Sequence, residues 1–437
     1  MNNRINEELL LFLEKSPTAF HAVKNIKDRL EAGGFEALEE GRSWLIEPGK
    51  GYYVSRNDSA VISFRIPKEA FTGFQIMTSH SDSPSFKIKE NPEMDVEGKY
   101  TKLNVEGYGG MLCAPWFDRP LSVAGRIVVQ EDRRVFTHLV DLDKDILMIP
   151  NVAIHMNRKI NDGYSYNIQT DMLPLIGDGA AKGALVKLVS EAAEVDEKNI
   201  VGTDLFVYNH AKGCIWGVDD AFISSARLDD LQCAFSTLKG FLAAENPKNV
   251  TVHCVFDNEE VGSGTKQGAA STFLKDTLTR ICAAAGKSDE DYFKLLAGSF
   301  MVSADNGHAV HPNFPEKTDP TNRVYMNEGI VIKHNANQKY TTDAVSNGIF
   351  KTICSKAEIP YQNFVNRSDI MGGSTLGNIA NTQTPMNTVD VGLAQLAMHS
   401  PYETAGAKDT AYLIRAAEVF FKTAVLCEGK SSYSIKE

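Results

Sequence analysis

Apolar residues change their spacing along this chain, and the changes divide it. From Ile5 to Lys15 they recur at helical intervals, with Leu9, Leu10, Phe12 and Leu13 on one face. Ser16-Pro17-Thr18 then supplies cap and first-turn residues for a second helix, which Gly33-Gly34 ends. Tyr52–Ile66 alternates apolar and polar positions around Arg56-Asn57-Asp58-Ser59 and predicts a hairpin. Gly73–His80 predicts a buried strand. Between about Asn91 and Asp220 short strand-like pieces alternate with Gly, Asp and Pro, interrupted by a helical run from Ala180 to Ala193. Alternating strand and helix texture returns at about Ala221. A helix is expected over Ala226–Ala244, strands at Val250–Phe256 and Phe300–Asp305, strand, turn and helix over Val331–Ala357, strand then loop over Val389–Ser400 and a helix over Glu403–Lys422. The expectation is one α/β domain, residues 1–90 and 221–437, split by a β-rich insertion of residues 91–220.

Composition narrows the class. The chain has 437 residues, 43% hydrophobic and 23% charged, and a net charge of −11. Its length fits two structural units. Its acidity argues against nucleic acid or an anionic membrane as partner. Seven scattered cysteines, none in a Cys-x-x-Cys pair, fit reduced thiols rather than a disulfide framework. The first residues lack the apolar core of a signal peptide, and no apolar run is long enough to span a membrane. A cytoplasmic protein is expected.

Ligands of open α/β sheets gather beyond the carboxyl ends of strands. The polar residues that directly follow apolar runs are His80 and Asp82, then Asp257, Glu259 and Glu260, then Asp305, then His399; Asp229 opens a predicted helix. Each alone has an ordinary explanation, such as a capping carboxylate or a hydrogen-bonded histidine. Together, two histidines and several carboxylates at strand ends are what a hydrolytic two-metal site needs. Mixed imidazole and carboxylate ligands suit Zn²⁺, with Mn²⁺ or Co²⁺ as alternatives. His308 and His311 are rival ligand candidates that could equally be loop polar groups, and His253, inside an apolar strand, is expected in the core.

The blocks SHSDSPSFKIK, GYGGMLCAPWFDRPLSVAGRIV, IPNVAIHMNRKIN, ARLDDLQ, FDNEEVGSGTKQGA, SADNGHAVHPN, VIKHNANQKYTTDA and LAQLAMHS occur in that order. With them, the chain resembles the M18 aminopeptidases, the aspartyl aminopeptidase group of the co-catalytic zinc peptidases, over nearly its whole length. The resemblance implies an α/β sandwich with an inserted β-rich dimerisation domain. It implies that Asp229 bridges two divalent ions, that His80 and Asp305 complete one, and that Glu260 and His399 complete the other. Glu259 would be the general base, and Asp82 would hydrogen-bond the His80 imidazole. The division agrees with backbone geometry, because adjacent side chains on an extended backbone diverge. Asp230 stands where many relatives carry Asn.

The resemblance further implies that His155 reaches a neighbouring subunit's active site, and that Lys333, with Tyr340, lines a pocket for acidic N-terminal side chains. Lys333 ends an apolar strand and is expected at the same sheet edge as the ligands. Dimers assembled into a tetrahedral dodecamer, acting on small peptides with a free N-terminus, are the implied assembly and substrates. The alternatives are a family member preferring neutral residues, a carboxypeptidase or deacylase of the same fold, and an inactive assembly protein. The last is disfavoured by the presence of every ligand position together with Glu259.

Overall fold

The structure is a computed structural model and describes residues 2–246, 248–429 and 432–436. A nine-stranded mixed sheet forms its centre. In spatial order its strands are Glu36–Leu38, Gly51–Arg56, Ala60–Arg65, Val250–Phe256, Phe74–His80, Phe300–Ala304, Asn387–Gly392, Ile330–His334 and Tyr361–Val365. Every residue of Phe74–His80 and Val250–Phe256 is buried. That is the pattern of strands covered on both faces.

Alternate residues serve two cores. Phe74, Ile76, Val252, Cys254 and Phe256 face helices Phe273–Ala284 and Asp289–Ala297, through Leu278, Ile281 and Leu295. Met77 and Val255 face helices Leu228–Ala243 and Asp409–Lys422, through Leu231, Leu238, Leu413 and Phe420. The two helices of the second layer touch at Gly240, where a side chain would collide with Ala417.

A six-stranded antiparallel sheet is built entirely from segments between Ser85 and Asn209, with its own core around Phe86, Trp116, Val123, Ile127 and Val207. The chain changes sheets across residues 81–84, at Pro84, so Ser85–Val96 already belongs to the second sheet. Sequence texture puts the division near residue 90. A third sheet, not expected from sequence, joins Cys214–Trp216, Phe222–Ser225, Glu403–Gly406, Ala394–Leu396 and Gly307–His308. Its pairing of Phe222–Ser225 with Glu403–Gly406 takes the latter out of the expected helix, which begins at Asp409. The expected helix from Ala180 likewise begins at Ala184, after Gly183 in a left-handed conformation. Among the described residues no helix is long and apolar enough to cross a membrane, and the seven cysteines are unpaired.

His253 sits in the core, as expected. It is fully buried, its Nε2 lies 3.1 Å from the Thr237 hydroxyl, and its ring stacks on Phe241. Burial pushes its imidazole down to about 3. An unfolded histidine takes up a proton near pH 6.5, whereas this one stays neutral when native. Its contribution to stability is therefore full above pH 6.5 and is lost as the pH falls toward 3. His253→Gln keeps hydrogen-bonding capacity and removes the titration. The stability of the wild type relative to this variant, measured by urea unfolding, is expected to fall by about 2 kcal/mol between pH 7 and pH 5. Parallel pH profiles would refute the assignment.

Candidate metal centre

Four neighbouring strands run parallel and end at one edge: Val250–Phe256, Phe74–His80, Phe300–Ala304 and Asn387–Gly392. His80 is the last residue of its strand, Asp305 follows another, and the turn Glu259–Val261 follows a third. That turn is bracketed by Asn258 and Gly262, both left-handed, conformations that Asn and Gly adopt most readily. Asp229 lies in the first turn of helix Leu228–Ala243. His399 comes from the loop after Ala394–Leu396 of the third sheet.

These side chains meet. His80, Asp229, Asp230 and Asp305 form one group whose potential ligand atoms lie within 4.8 Å of one another; Asp229, Glu260 and His399 form another; His80 also groups with Glu259 and Glu260. Asp229 is common to the first two. His80 Nε2 lies 3.5 Å from Asp229 Oδ1, and His399 Nε2 lies 3.6 Å from Asp229 Oδ2 and 3.3 Å from Glu260 Oε2. These spacings are long for hydrogen bonds. They match the roughly 3.4 Å between two ligands each about 2.0–2.1 Å from a tetrahedral Zn²⁺. Asp229 Oδ1, Asp230 Oδ1 and Glu260 Oε1 are buried without a hydrogen-bond partner from the protein. Buried carboxylate oxygens of this kind are costly unless a cation meets them. The donor set thus fits divalent metal ions.

Charge within the protein is correspondingly strained. Burial pushes the Glu260 carboxyl well up, and Asp229 adds to it; burial likewise raises Asp230. Burial pushes Glu259 up to about 8 against the opposing pull of His80, with Asp305, Asp82 and Asp229 adding to the rise. Burial disfavours the His80 cation, yet its contacts with Asp229 and Asp82 raise it well above the ordinary histidine range.

Two further carboxylates hold the backbone around the centre. Asp82 Oδ1 accepts from Glu259 N at 3.1 Å, while Oδ2 accepts from Glu260 N at 3.2 Å and from the Tyr108 hydroxyl at 2.7 Å. His80 Nδ1 lies 3.1 Å from the Asp82 carbonyl oxygen and 3.3 Å from its Oδ1, so Nδ1 can donate while Nε2 faces the cluster. The hydrogen bond of the imidazole goes to the Asp82 main chain, with the Asp82 carboxylate close by, and that carboxylate fixes the Glu259–Glu260 turn. Glu403 Oε2 accepts from Asp229 N at 3.0 Å, and its Oε1 from His399 N at 2.8 Å. Sequence reasoning missed Glu403 because its segment was expected to be helical, and its donors are backbone groups that carry no motif. Asp230 Oδ2 accepts from His80 N at 3.2 Å.

Lys333 is buried. Its Nζ donates to Asn306 O at 2.8 Å, lies 3.5 Å from Asp305 Oδ1, and is 5.6 Å from the centre of the Tyr340 ring. Its strand runs antiparallel to Asn387–Gly392, so it starts rather than ends at the ligand edge; the long side chain still reaches Asp305. Tyr340 packs in a small apolar cluster with Val331 and Phe364. His155 lies on an exposed turn among the exposed Val152, Ile154 and Met156, and is not in the ligand groups of its own chain. His308 and His311 also stay outside those groups, packing against Phe364 and Phe314.

The model of the family "Aminopeptidase I zinc metalloprotease (M18)" matches residues 12–421. A probable M18 family aminopeptidase 2 of Clostridium novyi is 47% identical over 431 residues, covering 96% of this chain and 100% of that one. Its counterpart in Clostridium acetobutylicum is 46% identical over 423 residues, covering 95% and 98%. Among solved structures, the cryo-EM complex of Ape4 and Nbr1 superposes with a TM-score of 0.93 at 36% identity, covering 96% of this chain and 86% of that one. The mApe1 dodecamer of S. cerevisiae superposes at 0.85 with 26% identity, covering 95% and 96%. With the fold shared throughout and the family model spanning all the clustered carboxylates and histidines, this chain belongs to the M18 family of aminopeptidases.

Proposed function

We propose that the chain removes N-terminal residues from small peptides with two divalent ions, most readily Zn²⁺, held by His80 and Asp305 on one side, Glu260 and His399 on the other, and Asp229 between. The observation that carries this is Asp229, shared by both ligand groups and buried with an oxygen that no protein donor meets. Two such ions would polarise the scissile carbonyl and acidify the attacking water. Glu259 takes the proton from that water and returns it to the leaving amine. Its carboxyl, pushed up to about 8 by burial, has the proton affinity this requires, and bound cations would bring it back toward neutrality. Asp82 and Glu403 hold the backbone of Glu259, Glu260, Asp229 and His399. The unpaired cysteines and acidic charge fit a cytoplasmic enzyme.

Glu259→Gln keeps size and reach and removes basicity. Turnover of an aminoacyl arylamide is expected to fall by roughly 10²–10⁴-fold, with metal content near that of the wild type. Near-normal turnover would refute the base, and loss of one ion would make Glu259 a ligand. An N-acetylated peptide is expected to be refused; its cleavage would favour a deacylase.

In this reading the six-stranded sheet serves dimerisation and dimers build a dodecamer, the oligomer named for the mApe1 relative. The exposed apolar residues around His155 suit contact with a second copy. From there His155 reaches the neighbouring subunit's site and supports the oxyanion. Mixing His155→Ala with Glu259→Gln protein is then expected to restore activity that neither has alone. No recovery after demonstrated subunit exchange would count against that arrangement.

Preference for Asp or Glu at the substrate N-terminus rests on Lys333. An ammonium has three donors; Asn306 O and Asp305 take two, leaving one for a substrate carboxylate beside Tyr340. Acidic arylamides are expected to have higher kcat/KM than Leu or Ala arylamides. Lys333→Met is expected to weaken acidic substrates by about 1.5–3 kcal/mol and to spare neutral ones. A uniform loss would instead assign Lys333 to holding Asp305, and with it a neutral preference.

A further inference from the structure

Asp390 is a fully buried carboxylate outside the ligand groups of the metal centre. It lies in strand Asn387–Gly392, in register with Ser303 of the parallel strand that leads to Asp305. Its neighbours Val389 and Val391 belong to the core of helices Leu228–Ala243 and Asp409–Lys422, so Asp390 points to the other side of the sheet. On the adjoining strand Ile330 and Ile332 belong to that same core, which puts Val331 and Lys333 on the side of Asp390.

Donors from two loops fill this carboxylate. Oδ2 accepts from Thr341 N at 2.5 Å and from the Thr341 hydroxyl at 2.6 Å, and Oδ1 accepts from the Thr375 hydroxyl at 2.8 Å. The Asp390 N–H donates to the Thr342 hydroxyl at 2.9 Å. Thr375 stands at the start of helix Leu376–Ala380, where a threonine hydroxyl often caps the helix; here it makes no cap and turns to Asp390. Gly377 leaves room for this contact, because a Cβ there would come within 2.7 Å of Asp390 Oδ1. The loops also meet directly, Thr375 N donating to Lys339 O at 3.4 Å. Hydrogen bonds to an ionised carboxylate are roughly twice as strong as neutral ones, and a carboxylate buried this deeply needs such donors.

Tyr340 sits between Lys339 and Thr341, the two residues held in this way, and its ring lies 5.6 Å from Lys333 Nζ. We propose that Asp390 is a positioning residue for the substrate's N-terminal side chain, locking the Thr341 and Thr375 loops together so that Tyr340 stays beside Lys333. This role rests on the reading of Lys333 and Tyr340 as the pocket for that side chain.

The quantity to measure is the ratio of kcat/KM for an Asp arylamide to that for an Ala arylamide, on full-length, metal-loaded protein. Asp390→Asn keeps the shape and removes the charge, and is expected to lower the ratio roughly tenfold, through KM of the Asp substrate, with metal content unchanged. Thr375→Val removes one donor and leaves Asp390 in place, and is expected to lower the ratio about threefold. Thr375→Ser keeps the hydroxyl and is expected to keep the wild-type ratio. Lys333→Met is the reference for the pocket itself. If Lys333→Met lowers the ratio while Asp390→Asn and Thr375→Val weaken both substrates equally, Asp390 only stabilises the fold and the proposal is overturned with the Lys333 reading intact. If Lys333→Met leaves the ratio unchanged, the pocket reading falls and this role falls with it. Should Asp390→Asn fail to fold, Thr375→Val decides, and an unshifted ratio there overturns the proposal.

Discussion

Buried negative charge at one sheet edge sets the terms for the rest of this molecule. Asp229, Asp230, Glu260 and Asp305 gather with Glu259 around two imidazoles, with Lys333 as the nearby ammonium. Carboxylates so placed repel one another and are poorly hydrated, and the unpaired oxygens of Asp229, Asp230 and Glu260 show that the protein does not satisfy them itself. Cations resolve the strain, so the arrangement that costs stability in the bare chain is what makes ion binding favourable.

Holding such a cluster requires rigid backbone. The nine-stranded sheet supplies three candidate ligand positions at one edge, from strands buried on both faces, where side-chain direction is fixed by packing. The remaining positions come from elsewhere: Asp229 from a helix start and His399 from a loop of the third sheet. Two carboxylates outside the ligand groups tie these pieces together. Glu403 links the backbone of Asp229 to that of His399, and Asp82 links His80 to the Glu259–Glu260 turn. Tyr108, on the strand Tyr100–Tyr108 of the six-stranded sheet, donates to Asp82, so that sheet also braces the centre.

Much of this was legible in the chain. The apolar runs Phe74–His80 and Val250–Phe256 are long enough and polar enough at their ends to mark buried strands that deliver side chains to an edge. Their period fixes which residues face which core. The candidate ligands, Glu259 and Asp82 follow such runs or open a helix, and the joint occurrence of two histidines with several carboxylates points to metal chemistry from residue types alone. His253 was legible for the same reason: a histidine within an otherwise apolar strand is placed by its neighbours.

Pairing between distant segments was not legible. Glu403–Gly406 has a composition that continues into the following helix, and only its partner Phe222–Ser225 makes it a strand. The direction of Ile330–His334 depends on the strand beside it, not on its own residues, which is why Lys333 reaches Asp305 from a strand that begins at the ligand edge. Glu403 works through backbone N–H groups, and every residue has one, so no pattern of side chains announces it. Local periodicity and residue chemistry in the sequence determined the buried strands and the set of groups able to hold ions. Tertiary structure alone decided strand direction, sheet membership and the hydrogen bonds that aim those groups, because these depend mostly on contacts between segments distant in the chain.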